Sequence, residues 1–134
     1  MRRVLLPVGS LALLLLAAPS RAADAENPGK ALYLKYCGAC HGPAGKGDGI
    51  AGTFMRPKPA DLTQIAKKNG GAFPAQRTME IIDGRKTVRA HGDPDMPVWG
   101  EVLSEELSGS LHRRAMVKGT LTLITDYIGS IQEK

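Results

Sequence analysis

Aromatic residues and strand patterns are scarce in this sequence. Aromatic residues make up 4% of the 134 residues, and there is one tryptophan. The sequence therefore lacks the aromatic content typical of carbohydrate-binding proteins and of proteins that lie at membrane interfaces. No segment alternates convincingly between apolar and polar residues with a period of two, so β-strands are not expected.

A strong basic charge is also missing once the amino terminus is set aside. The whole chain carries a formal charge of +5, from 18 Lys and Arg against 13 Asp and Glu. Loss of the first 22 residues would remove Arg2, Arg3 and Arg21 and no acidic residue, which leaves about +2. Nucleic-acid binding, which needs a dense basic face, is therefore not supported.

The amino terminus has the pattern of a secretory signal peptide. Arg2-Arg3 precede an apolar, leucine-rich stretch from 4 to 19, and Ser20-Arg21-Ala22 offers small residues where signal peptidase reads them. The alternative is a membrane anchor, but the apolar run is shorter than the roughly 20 residues that a spanning helix needs. We therefore predict a signal peptide over 1–22, cleaved after Ala22, and one mature domain over 23–134 with no membrane span.

The only two cysteines of the chain lie in one pentapeptide, Cys37-Gly38-Ala39-Cys40-His41. A C-x-x-C-H pattern is typical of covalent haem attachment. Two thiols three positions apart lie on one side of a helical turn, where they can add to the two vinyl groups of one porphyrin. The imidazole of His41 would then face the iron as the proximal ligand.

Other readings of this pentapeptide are less well supported. A disulfide across so short a separation is strained, and a redox-active dithiol favours a βαβ context that is not found here. A zinc site usually needs four ligands, and beyond the motif the chain offers only His91 and His112 as comparable donors.

Helices are predicted by apolar spacing and by capping residues, and glycine- and proline-rich stretches separate them. The predicted helices are Pro28 to about Cys37, Asp61 to Lys68, Ala75 to Asp83, and about Leu111 to Ile131. A loop over 42–59 follows the motif, and we expect a carbonyl in its 53–59 portion to accept a hydrogen bond from the second ring nitrogen of His41.

A second informative stretch runs from His91 to Gly100. It is loop-like, and Met96 lies within it between Asp95 and Pro97, which does not suit packing on a helix face. We therefore predict Met96 as the sixth ligand of the iron. Met55 and His91 are rivals for that role, whereas Met79 and Met116 fall on helical patterns, where a core role is expected.

Over essentially all of 27–132, the sequence resembles the bacterial, periplasmic cytochromes c of class I. The matching segments are Gly29-x-x-x-Tyr33 before the haem motif, Pro59-Ala-Asp61-Leu-Thr63, Ile82-Asp-Gly84-Arg85, Asp95-Met96-Pro97-Val98-Trp99-Gly100, and Asp126-Tyr127-Ile128-Gly-Ser-Ile-Gln132.

This resemblance implies a small all-α fold in which the first and last helices cross near Gly29 and Tyr127. It implies one haem c per chain, attached through Cys37 and Cys40. It also implies axial ligation by His41 and Met96, which raises the reduction potential and leaves no position for substrate. The expected role is a periplasmic electron carrier and not an enzyme.

The expected partners are redox proteins: a donor dehydrogenase or quinol-oxidising complex, and an acceptor oxidase or reductase. Five lysines either steer an acidic partner or are simply exposed to solvent. They are Lys35, Lys46, Lys58, Lys67 and Lys68. Four further residues are candidate contacts of the haem propionates: Arg56, Arg85, Arg89 and Trp99.

Two alternatives to a free carrier stay open. The chain could be the haem-bearing subunit of a periplasmic dehydrogenase or oxidase complex, which exposed apolar surface near 101–119 would favour. It could also be a peroxidase or gas sensor, if Met96 were displaced and His91 served as a distal base.

Overall fold

A computed structural model describes residues 27–85 and 96–133. Every regular element in these two ranges is helical, as the sequence predicted. The signal peptide predicted over 1–22 lies outside the described residues, as do Arg89 and His91. Within the described part of the chain, no helix combines the length and the apolar character that crossing a bilayer requires.

The described residues form six α-helices and two short 3₁₀ turns, at Gly52–Phe54 and Leu62–Gln64. The α-helices are α1 (Pro28–Tyr36), α2 (Gly38–His41), α3 (Ile65–Lys68), α4 (Ala75–Asp83), α5 (Trp99–Glu106) and α6 (Arg113–Ser130). The sequence predicted a single helix over 61–68, whereas its first turn is 3₁₀. It also predicted that the last helix begins near Leu111, two residues before α6 begins.

Local residue chemistry accounts for the helix ends. Asn27 caps α1 by accepting hydrogen bonds from the backbone N–H groups of Gly29 (3.0 Å) and Lys30 (3.3 Å). Pro28 occupies the first helical position, where its missing N–H costs nothing. Gly84 ends α4 in the left-handed conformation, with φ at 68°.

The core forms where α1, α4 and α5 pack against α6. The buried residues of α6 recur at spacings of three and four, so that one face of this helix supplies most of the core. The buried core residues are Tyr33, Cys37, Ile82, Leu103, Val117, Leu121, Ile124, Tyr127 and Ile128.

The first and last helices cross as the sequence predicted. A Cβ atom on Gly29 would collide with the backbone carbonyl oxygen of Leu123 and would lie 3.1 Å from the Cβ of Tyr127. Only glycine permits this approach. The ring centroids of Tyr33 and Tyr127 lie 5.1 Å apart beside the crossing, which joins α1 firmly to α6 just before the motif.

Candidate functional site

The pentapeptide of the two cysteines is folded as a tight helical turn. The N–H of Cys37 ends α1 by donating to the carbonyl of Tyr33 (2.8 Å). The carbonyl of Cys37 then accepts from Cys40 (3.2 Å) and His41 (2.9 Å). In a helical turn, residues at positions i, i+3 and i+4 share one face. The fold therefore brings Cys37, Cys40 and His41 to one face, as the spacing predicted.

The two thiols are not joined to each other. Burial raises the pKa of the Cys37 thiol to about 12, with a further contribution from nearby Cys40. A thiol with so high a pKa is protonated at neutral pH and is a poor nucleophile, unlike the reactive cysteine of a redox-active dithiol. Within 27–85 and 96–133, no three His, Cys, Asp or Glu side chains are grouped so that they could hold a metal ion.

The loop that follows the motif folds back and caps the short helix α2. Three successive carbonyls accept backbone hydrogen bonds from this loop. Gly47 donates to His41 (2.8 Å), Gly49 to Cys40 (3.1 Å) and Ala51 to Ala39 (2.9 Å). A four-residue helix has no internal partners for its last carbonyls, so the loop replaces those partners and holds the motif rigidly.

Glycine is required where this loop meets the motif. A Cβ atom on Gly49 would collide with the carbonyl oxygen of Ala39, and one on Gly52 would collide with that of Cys40. The glycine-rich composition that marks this stretch as a loop thus serves a close approach between two backbones.

The ring of His41 is oriented by a backbone carbonyl. Its Nδ1 lies 2.9 Å from the carbonyl oxygen of Ala60. A carbonyl oxygen only accepts hydrogen bonds, so Nδ1 carries a proton. In the neutral ring Nε2 then carries the lone pair, which is the tautomer that ligates a metal. The sequence predicted a carbonyl within 53–59, and the acceptor belongs to the next residue, Ala60.

The segment that contains Ala60 is itself anchored. Asp61 accepts from the backbone N–H (2.9 Å) and hydroxyl (2.6 Å) of Thr63, and these hydrogen bonds lower the pKa of its carboxyl. The side chain of Gln132, just after α6, donates to the carbonyl of Leu62 (2.7 Å) and accepts from the N–H of Ala66 (2.8 Å). The carboxyl end of the chain thereby supports the carbonyl that orients His41.

A buried hydroxyl supports the motif from the opposite direction. Tyr33 is fully buried, and its hydroxyl donates a 2.6 Å hydrogen bond to the carbonyl of Gly42, the residue after His41. Burial raises the pKa of the Tyr33 phenol, and the nearby Cys37 raises it further. The hydroxyl is therefore protonated at neutral pH and can donate this hydrogen bond.

Met96 begins the second described range and is half-buried. It packs against the core cluster of which Cys37 is a member, so the fold directs both residues toward the same interior. Met79 also packs against this core, as expected for a helical methionine. Met116 does not, because 45% of it is exposed; the expectation of a core role for Met116 was wrong.

Two of the remaining predicted contacts lie near each other, because Arg85 and Asp83 border Gly100, the residue after Trp99. Trp99 begins α5 and packs edge-on against Tyr36, whereas Arg85 pairs with Asp83 (2.6 Å). The guanidinium of Arg56 donates to the carbonyls of Thr53 and Met55.

Two lysines of the predicted steering set are engaged in ion pairs. Lys35 lies 3.6 Å from Glu106, and Lys46 lies 3.4 Å from Glu133. Their charges are therefore partly offset for any docking partner.

Three contributors to the site were missed by sequence reasoning. The acceptor at Ala60 is a backbone atom, and no side chain signals it. Gln132 reads as an ordinary polar residue near a chain end. Tyr36 lies at the end of the first predicted helix, and nothing in its sequence position indicated the contact with Trp99.

The donor set fits a haem. Two thiols and an imidazole in the metal-binding tautomer share one helical face, and a half-buried thioether packs against the same core. Comparison with protein families agrees: residues 24–111 match the family model described as cytochrome c oxidase, cbb3-type, subunit III. Comparisons with curated proteins and with solved structures give no significant match.

Proposed function

Because the chain belongs to the cytochrome c family described as cytochrome c oxidase, cbb3-type, subunit III, we propose that it is an exported electron-transfer protein with one covalently attached haem c. Membership of this family implies haem-based electron transfer. The proposal adds which residues bind the haem, how the haem is attached and where the protein works. We place it in the periplasm as a soluble carrier, released from its signal peptide near Ala22.

The proposed ligands follow from the donor set. Cys37 and Cys40 would hold the haem by thioether bonds, His41 would ligate the iron through Nε2, and Met96 would supply the second axial ligand. When bound, the haem supplies a one-electron ferric/ferrous couple, and a thioether ligand raises its potential. The observation that carries this assignment is the hydrogen bond from His41 Nδ1 to Ala60, because it selects the ligating tautomer.

The role of the protein is to hold both ligands in place through the electron transfer. His41 is held by Ala60 and by the backbone bonds of the loop. Met96 is kept from water by the core against which it packs. With both axial positions filled by protein groups, the site has no place for a substrate, which favours electron transfer over catalysis.

The absorption spectrum of the exported, oxidised protein tests this proposal. We expect the weak red charge-transfer band that a methionine sulfur gives with ferric haem, and its loss in Met96→Ala. Met116→Ala and Met55→Ala are the matched controls and should retain the band. Attached haem without the band would overturn the assignment of Met96 and favour His91 ligation or an open, catalytic or sensing site.

A haem-bearing subunit of an oxidase complex is the second candidate. The family description itself names a subunit, and Leu111, in the segment before α6, is fully exposed. However, permanent interfaces are large and apolar, whereas the exposed large apolar side chains of the described residues are spread from α1 to α6. They are Leu34, Ile50, Phe54, Val98, Leu111, Met116 and Leu123. This distribution favours brief docking of a free carrier. Co-purification of the native protein in a stable oxidase complex would favour the subunit.

A further inference from the structure

The end of α1 and the start of α5 are joined by an aromatic pair. The ring centroids of Tyr36 and Trp99 lie 5.4 Å apart with the planes at 63°, an edge-to-face arrangement that aromatic quadrupoles favour. Both residues are half-buried. Tyr36 directly precedes Cys37, and Trp99 follows Met96 by three residues, so this contact links the two segments that carry the proposed haem ligands.

The same tyrosine also contacts the other end of α5. Its hydroxyl donates a 2.8 Å hydrogen bond to Glu106, the last residue of that helix, and accepts one of 2.7 Å from Lys35. Since Trp99 is the first residue of α5, Tyr36 contacts both ends of it. These contacts add to the packing of α5 against α4 and α6 and tie the start of α5 to the end of α1.

Fixing α5 restricts where Met96 can lie. Only Pro97 and Val98 separate Met96 from Trp99, so the two Cα atoms are at most about 11 Å apart even in an extended chain. Pro97 narrows the range further because its ring locks φ. Val98 lies against Gly84 at the end of α4, and Met96 packs against the core. The tether to Trp99 is therefore one of several restraints on Met96.

We propose that the Tyr36–Trp99 contact is a positioning element that keeps Met96 on the iron and sets how easily another ligand displaces it. The inference depends on the proposed function, since it assumes that Met96 is a ligand. Neither aromatic residue needs to touch the iron. Each acts by reducing the freedom of Met96 before the bond forms, which is the usual benefit of preorganisation.

The test is a titration of the oxidised holoprotein with imidazole, followed by loss of the red sulfur–iron band. Tyr36→Leu and Trp99→Leu should each bind imidazole about three- to tenfold more tightly than the unmodified protein, the range expected from the strength of aromatic pairs. The double variant should bind no more tightly than the tighter single variant, because the first substitution already removes the contact.

Two controls separate positioning from general destabilisation. Tyr36→Phe keeps the ring and should stay within about twofold of the unmodified protein, because hydrogen bonds at so exposed a pair contribute little. Asn27→Ala removes the cap of α1 at the end opposite Tyr36 and should lower thermal stability without changing imidazole affinity. If Tyr36→Leu and Trp99→Leu fail to give holoprotein, the milder variant Trp99→Phe should still bind imidazole at least about twofold more tightly.

The outcomes are distinguishable. Unchanged imidazole affinity in both leucine variants, or effects that multiply in the double variant, would overturn the positioning role and leave the proposed function intact. A tightening in Asn27→Ala equal to that in Tyr36→Leu would overturn it as well. Absence of the sulfur–iron band in the unmodified protein would instead remove the assignment of Met96, and this inference with it.

Discussion

The His41 side and the Met96 side of the site are built by different means. Around His41, backbone hydrogen bonds and buried groups hold the turn: three loop N–H groups cap it, and Ala60 orients the ring. Around Met96, restraint comes from side chains: Met96 packs against the core, and Tyr36 and Trp99 join α1 to the start of α5. Backbone groups cannot leave their partners without moving the chain, whereas side chains can change rotamer. The comparison favours the proposal that His41 is a permanent ligand and Met96 a replaceable one.

The largest expected effect falls on the His41 side, at Gly49. In Gly49→Ala, the new Cβ would meet the carbonyl of Ala39, and backbone cannot yield as a flexible side chain does. We expect a loss of about 3 kcal/mol or more in the free energy of unfolding, with little haem incorporated, measured by urea unfolding and haem content. Gly119→Ala is the control: nothing lies within 4 Å of its Cβ, and helix propensity should stabilise it by about 0.5–1 kcal/mol. A Gly49→Ala protein as stable as the unmodified one would contradict the rigid-turn description.

The next largest effect is expected at Tyr33. Tyr33→Phe keeps the ring against Tyr127 and removes only the buried hydrogen bond to Gly42, which should cost about 1–2 kcal/mol. Tyr127→Phe removes a hydroxyl from the same ring pair without touching Gly42, so its cost should stay below about 0.5 kcal/mol. Denaturant unfolding of the two variants measures the difference. Equal losses would mean that ring packing, and not the hydrogen bond, supports the turn.

Asp61 should give a smaller and pH-dependent effect. Asp61→Ala removes the cap of the turn that follows Ala60, at a cost of about 1 kcal/mol at neutral pH. Because the hydrogen bonds from Thr63 lower the pKa of Asp61, its contribution is present above the unfolded value of about 3.9. It is lost as the pH falls through the lower folded value. Thermal unfolding of both proteins from pH 7 to pH 2 should therefore show the difference shrinking below about pH 4, and a difference that grows there would refute the assignment.

The smallest effect is expected on the Met96 side, at Glu106. Glu106→Gln removes the charge that pairs with exposed Lys35 and keeps an acceptor for the hydroxyl of Tyr36. Exposed ion pairs contribute little, so the melting temperature should change by less than about 2 °C. Calorimetry at low and high salt checks this. A large, salt-sensitive loss would show that the Met96 side depends on charge as strongly as the His41 side depends on its backbone.

Much of the fold could be predicted from the sequence, because the signals were local. Pro28 and Gly84 set helix boundaries through their own backbone preferences, and α4 has the bounds that were predicted. The crossing of α1 and α6 near Gly29 and Tyr127 was expected from the family resemblance and not from a local signal. Met116 shows where local reasoning stops: its helical spacing suggested a core role, yet it is 45% exposed while the neighbouring Val117 is buried. Periodicity shows which residues share one face of a helix, and only packing decides whether that face is buried.

For the candidate site, the sequence by itself determined which atoms are available and which share a turn. The spacing of Cys37, Cys40 and His41 places them on one face of any helix, whatever the rest of the chain does. Only the tertiary structure decided that Ala60 orients His41, that Gln132 supports that segment, and that Tyr36 meets Trp99. These contacts join residues 19 to 70 positions apart. Their existence depends on how the helices pack, and no local preference of the chain encodes that.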